Sequence, residues 1–136
     1  MSQKREFPTY HGKSLGIIAL TAAQFLIGTI HVLFGLWLLT SEITAGSQAT
    51  IPYDVYTLFF GVLVLLFAGL IWQGKKLGWI GTITISLFVT IADALTLLNL
   101  PSIPGIPKGA ALLEIAYSVL IVCYLFLPHV RRKFFA

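Results

Sequence analysis

Three ionisable residues stand inside long apolar runs of this chain: His31, Asp93 and Glu114. An imidazole and two carboxyl groups can share protons, coordinate a cation, or satisfy one another as a buried polar clasp. Placing such a group in a bilayer costs about 2.5 kcal/mol or more at the centre. Each is therefore expected to face other protein groups. Gln24 and Tyr117 carry further hydrogen-bonding groups on the same helix faces, and Asp54 and Tyr56 stand at the start of another apolar run.

Four chemistries fit this set. The first is a structural clasp that fixes helix register. The second is a proton or cation site in a small transporter or channel, because Asp, Glu and His chains mark such relays. The third is ligation of a metal, haem or chlorophyll-type pigment by His31, since one imidazole is a legitimate axial ligand. The fourth is catalysis. The catalytic reading has the least behind it. Hydrolytic zinc needs about three placed ligands and an open position, and the chain has neither an HExxH motif nor a close ligand pair. Ser86 and Ser118 lie in no nucleophile motif, Cys123 falls on a different helix face from Glu114, and no Walker-type glycine loop is present. We therefore expect no enzyme and no metal site.

The elements that must position these residues follow from composition. Hydrophobic residues make up 57% of the 136 positions and charged residues only 10%. Mean hydropathy is +0.91. Soluble domains are about a quarter charged, so a water-soluble globular domain and a disordered chain are both excluded. The net charge is +4, but the basic residues sit in short groups between apolar runs. That distribution argues against nucleic acid as a partner. The single cysteine, Cys123, allows no intrachain disulfide.

A helix needs roughly 20 apolar residues to cross about 30 Å of hydrocarbon. Four segments qualify, at about residues 15–39, 55–72, 77–98 and 110–127. They predict one all-α integral membrane domain over residues 1–136, an up-down bundle of four transmembrane helices. Gly46, Ser47 and Pro52 fall in the first connection, Gly74, Lys75 and Lys76 in a tight second turn, and Pro101, Pro104, Gly105 and Pro107 in the third. Proline at every third position there predicts a stiff extended connector, with docking of another subunit as the alternative. The first span carries Gln24 and His31 and is too long for a signal sequence, so it reads as a retained helix.

Basic residues set the expected orientation. Lys4, Arg5, Lys13, Lys75, Lys76, Arg131, Arg132 and Lys133 fall on one side, and only Lys108 on the other. Both termini are thus expected to be cytoplasmic, in the cytoplasmic or inner membrane if the chain is prokaryotic. Trp37 and Tyr53 would mark the outer interface, and Trp72, Trp79, Phe134 and Phe135 the inner one. The basic aromatic tail from Pro128 to Phe135 reads as a topology anchor, with anionic lipid or a cytoplasmic protein as alternative partners. A shift of 62 residues lays His31 on Asp93 and Lys13–Gly16 on Lys75–Gly78, a match that Leu-rich segments also produce by chance.

Small and polar residues line one stripe of each span, as helix contacts in membranes require. The stripes are Thr21, Gln24, Gly28, His31 and Gly35; Asp54, Gly61, Leu65, Ala68 and Trp72; Gly78, Thr82, Ser86, Thr90 and Asp93; and Ala111, Glu114, Tyr117 and Ser118. His31, Asp93 and Glu114 all fall about one to two turns inside the outer ends of their spans, so they are expected at similar depth. Two functions follow as expectations. One is a non-enzymatic accessory or scaffold subunit packed in a larger membrane complex or self-associated. The other is a small proton- or cation-linked transporter using this cluster near the outer leaflet.

Overall fold

The computed structural model describes Thr9, Tyr10 and residues 12–135. Two dipeptide strands, β1 (Thr9–Tyr10) and β2 (Lys13–Ser14), pair antiparallel ahead of the first helix. Five helices follow: α1 (Leu15–Ala45), α2 (Ile51–Trp72), α3 (Lys76–Leu97), α4 (Lys108–Phe126) and α5 (Pro128–Phe135). The first four are long and apolar enough to cross a membrane. Consecutive helices pack side by side, so the chain runs up and down. One end of the bundle carries β1, β2, the α2–α3 turn and α5. This is the basic end. The opposite end carries the α1–α2 and α3–α4 connections.

The helix ends have local causes. Ser14 caps α1 by accepting from the Ile17 N–H at 3.4 Å. The chain then turns left-handed at Gly46, where the Gly46 and Ser47 N–H groups take the Ile43 and Glu42 carbonyls. Gly74 ends α2 the same way, its N–H and that of Lys75 donating to Ile71 and Leu70. At the end of α3 the left-handed residue is Asn99, at φ 56°. Its N–H and that of Leu100 take the Thr96 and Leu95 carbonyls. All three are Schellman turns, which satisfy the carbonyls a helix end leaves open.

Several boundaries differ from the sequence reading. Helix α1 continues past Leu39 to Ala45, and in the added turns Thr40, Ser41 and Thr44 satisfy their hydroxyls on backbone carbonyls of the preceding turn, at 2.7–3.0 Å. The apolar run ends there, but the helix does not. Helix α2 starts at Ile51 rather than Val55, with Pro52 in its first turn, where the missing N–H costs nothing. Asp54 therefore lies inside the helix, and Thr50 takes the cap position. Trp72 is 38% exposed, and Ile71 takes its inward place. The proline-rich connector is not extended throughout. It turns at Pro104–Gly105, with Gly105 at φ 94°, tucks Ile106 into the protein, and ties Ser102 Oγ to the Ala92 carbonyl at 2.8 Å. The tail is a helix, α5, whose Val130 and Phe134 are buried.

Helices α1 and α2 cross at glycine. A Cβ on Gly61 would lie 2.8 Å from the Gly28 carbonyl oxygen and 2.8 Å from the Val32 nitrogen. One on Gly35 would lie 2.8 Å from the Leu58 nitrogen. Removing these side chains lets the two backbones touch, the packing mode that operates where no hydrophobic effect drives helices together. The basic end is closed by an apolar cluster of Ile17, Leu20, Ile71, Ile83, Ile121 and Leu125, capped by Trp79 and by Val130 and Phe134 of α5. Trp79 Nε1 donates to the Leu125 carbonyl at 2.9 Å. Polar interior groups are therefore confined to the middle and the opposite half.

Candidate functional site

His31 on α1 and Glu114 on α4 meet across the bundle, Nε2 to Oε1, at 3.1 Å. The other ring nitrogen, Nδ1, donates to the Ile27 carbonyl at 2.8 Å, because a carbonyl oxygen can only accept. That bond decides what the pair can be. With Nδ1–H committed, one further hydrogen must lie between Nε2 and Oε1, carried by either the imidazole or the carboxyl. An unprotonated nitrogen against a carboxylate would set two acceptors face to face. The pair therefore holds one shared proton whichever partner owns it.

One ring contact orients the imidazole. Phe60 of α2 meets it edge-on, with ring centroids 5.0 Å apart at 70°, and Tyr56 stacks on Phe60 one turn away. The imidazole is oriented by this contact and by its two hydrogen bonds. Both its nitrogens are engaged, so the expected alternative of axial ligation to haem or pigment does not fit this arrangement without breaking the Glu114 contact. Among the described residues no group of three His, Cys, Asp or Glu side chains is disposed to hold a metal ion.

Asp93 on α3 completes the cluster. It is fully buried, and its carboxyl faces that of Glu114 closely enough for the two to interact directly. No well-formed hydrogen bond from the described residues reaches either Asp93 oxygen. The Tyr56 and Tyr53 side chains lie within electrostatic reach of both carboxyl groups, and the buried Tyr56 hydroxyl has no partner among the described residues. A buried polar group without a partner is costly. One imidazole and two carboxyl groups thus lie together, a set that can hold protons in common.

Below the pair, toward the basic end, the helices enclose a cavity of about 10 Å³, about enough for one water molecule. Gln24, Thr82, Ser86, Ser118 and Tyr117 contribute its polar walls, and Phe60 separates it from His31. Gln24 is 2% exposed. Its Nε2 donates to Thr82 Oγ1 at 3.4 Å, while its Oε1 and the Tyr117 hydroxyl lack partners among the described residues.

Of the six sequence candidates, His31, Glu114 and Asp93 come together, and Gln24 and Tyr117 line the cavity beneath them. Asp54 does not join them. It is fully buried beside Glu42 at the far end of the bundle, where Thr50 Oγ1 donates to Glu42 Oε1 at 2.6 Å. Phe60 and Tyr53 were not singled out for the site by sequence. They are apolar or aromatic residues in an apolar run, and only the α1–α2 crossing brings them to it.

The fold and site define a chain in which four of the five described helices are long and apolar enough to cross a membrane, with a His–carboxyl cluster between them. Comparison with protein-family models, curated proteins and solved structures gave no match.

Proposed function

We propose that this is a small multi-pass membrane protein that binds and releases a proton at His31, Glu114 and Asp93, as a transporter or channel rather than an enzyme. The observation that supports it is Asp93, fully buried with its carboxyl set against that of Glu114, which in turn meets His31. A purely structural clasp would satisfy its members. Here two carboxyl groups and one imidazole lie together, so a proton can pass among three groups rather than rest on one. The excess of basic residues at the end carrying the termini supports a cytoplasmic placement of both. The apolar seal at that end then leaves the site nearer the outer face.

The test is proton flux in vesicles containing the purified protein, with an internal pH indicator and an imposed gradient. Wild type is expected to dissipate the gradient. Asp93→Asn is expected to fail while keeping its native mass and melting temperature. Equal flux in both overturns the reading.

A second reading, an accessory subunit or self-associating protein, has its own supporting observation. The His31 and Glu114 side chains are each 20% exposed where α1 faces α4, although α1 packs closely on α2 and α4 on α3. An ion pair turned toward hydrocarbon is costly, so another helix covering this seam would stabilise it. Extraction in mild detergent separates the two. A large assembly with other polypeptides, together with tolerance of Asp93→Asn, supports the accessory role.

A further inference from the structure

We propose that the basic end of the bundle holds one anionic phospholipid. Its headgroup sits between Lys13 and Lys133, and one acyl chain lies along α1. This rests on placement in a bilayer but not on the proton site.

Two recesses carry the argument. The first, about 330 Å³, is framed by Lys13, Ser14, Trp72, Gly74 and Lys133. Its floor is apolar, formed by the buried Ile17, Ile71 and Phe134. The second, about 460 Å³, runs along α1 past Ile18, Ala22, Phe25 and Leu26. Trp72 borders both, so they lie on either side of one indole. From Ile18 to Thr29 the second recess follows about 16 Å of helix at about 1.5 Å per residue. That is about half of a 30 Å hydrocarbon layer, the depth of one leaflet.

The first recess suits a phosphodiester. Lys13 is held in place rather than free to wander. Its Nζ donates to the Trp72 carbonyl and lies 4.8 Å from the centre of the Trp72 ring. An ammonium has three donors, so two remain for a ligand. Lys133 arrives from α5 only because that helix folds back under the bundle. The first turn of α1, which borders the recess through Ser14 and Ile17, carries no acidic residue, and its positive dipole end favours an anion. The described acidic residues, Glu42, Asp54, Asp93 and Glu114, lie in the other half of the bundle or at its far end, so none offsets the two lysines. A free phosphate would use only the first recess. A phospholipid uses both, and the second recess is walled mainly by Ile18, Ala22, Phe25, Leu26 and Trp72, with Thr21 and Thr29 its two hydroxyl-bearing residues.

The experiment is native mass spectrometry of the delipidated full chain in micelles containing equal amounts of phosphatidylglycerol and phosphatidylcholine with identical acyl chains. One phosphatidylglycerol is expected to be retained per chain in preference to phosphatidylcholine. Lys13→Gln with Lys133→Gln is expected to reduce that preference by about tenfold to thirtyfold. Lys75→Gln with Lys76→Gln removes the same charge from the same end and is expected to leave it intact. Ala22→Trp fills the acyl recess without changing charge and is expected to lower retention even if the double lysine variant does not fold. Glu114→Gln is expected to have no effect, which separates this site from the proton site. The proposal is overturned by equal loss in both lysine pairs, by no headgroup preference in wild type, by full retention in Ala22→Trp, or by displacement of the lipid with millimolar inorganic phosphate.

Discussion

His31 Nε2 and Glu114 Oε1 stand 3.1 Å apart, while His31 Nδ1 is already spent on the Ile27 carbonyl. One hydrogen is thereby trapped between two side chains on the first and last of the four long helices. Glu114→Gln keeps a donor in that place, since the amide N–H can serve a neutral imidazole. Glu114→Ala leaves Nε2 without a partner. The alanine variant is expected to lose about 1–3 kcal/mol and the glutamine variant under about 1 kcal/mol, measured by reversible unfolding in detergent. Equal losses would show that the pair is not the hydrogen bond described.

Asp93 should behave in the opposite way. A buried carboxyl set against a second carboxyl contributes little stability, and replacing a buried polar group with an apolar one of similar size is often neutral or stabilising. Asp93→Leu is expected to hold or raise the melting temperature while abolishing flux. A fall of several degrees would instead make Asp93 a structural member of the cluster.

The α1–α2 crossing gives a prediction that needs no function. A methyl group on Gly61 meets backbone atoms at 2.8 Å on the facing helix, whereas at Gly69 nothing lies within 4 Å. Overpacking of this kind costs about 1–3 kcal/mol, and relief of glycine's backbone entropy gains about 0.5–1 kcal/mol. Gly61→Ala is expected to destabilise and Gly69→Ala to stabilise slightly. The two melting curves, run side by side, check the sign of each.

Helix α5 is held by Trp79. Besides its bond to the Leu125 carbonyl, the indole meets Phe135 edge-on at 5.0 Å, with the Arg131 guanidinium 5.9 Å from its centre. Trp79→Phe removes one hydrogen bond, worth about 1 kcal/mol, and part of this platform. Faster proteolysis after Arg131 or Arg132 is expected in the variant, with the four long helices intact by circular dichroism.

Asn99 adopts a left-handed conformation at the end of α3, which β-branched residues tolerate poorly. Asn99→Val is expected to cost about 1–2 kcal/mol and Asn99→Gly only a few tenths. Similar unfolding midpoints for the two variants would contradict that account.

Much of this arrangement follows from residue order alone. Apolar runs of sufficient length dictate four long helices, and the spacing of Gln24, Gly28, His31 and Gly35 places them on one face. Gly46 and Gly74 mark two helix ends because few other residues accept a positive φ. The similar depth of His31, Asp93 and Glu114 follows from counting turns. Tertiary structure decided the rest. Hydropathy cannot say where a helix ends when polar residues bond their own backbone, so α1 outruns its apolar segment through Thr40 and Ser41. Nor can it say which carboxyl the imidazole meets. That depends on the crossing of α1 and α2 at Gly28 and Gly61 and on where α4 closes the bundle, both set by side-chain shape rather than polarity. Asp54 shows the point most directly. It shares an inward stripe with residues of the bundle interior, yet it lies beside Glu42 at the far end, because a stripe defines a direction and only packing defines a neighbour.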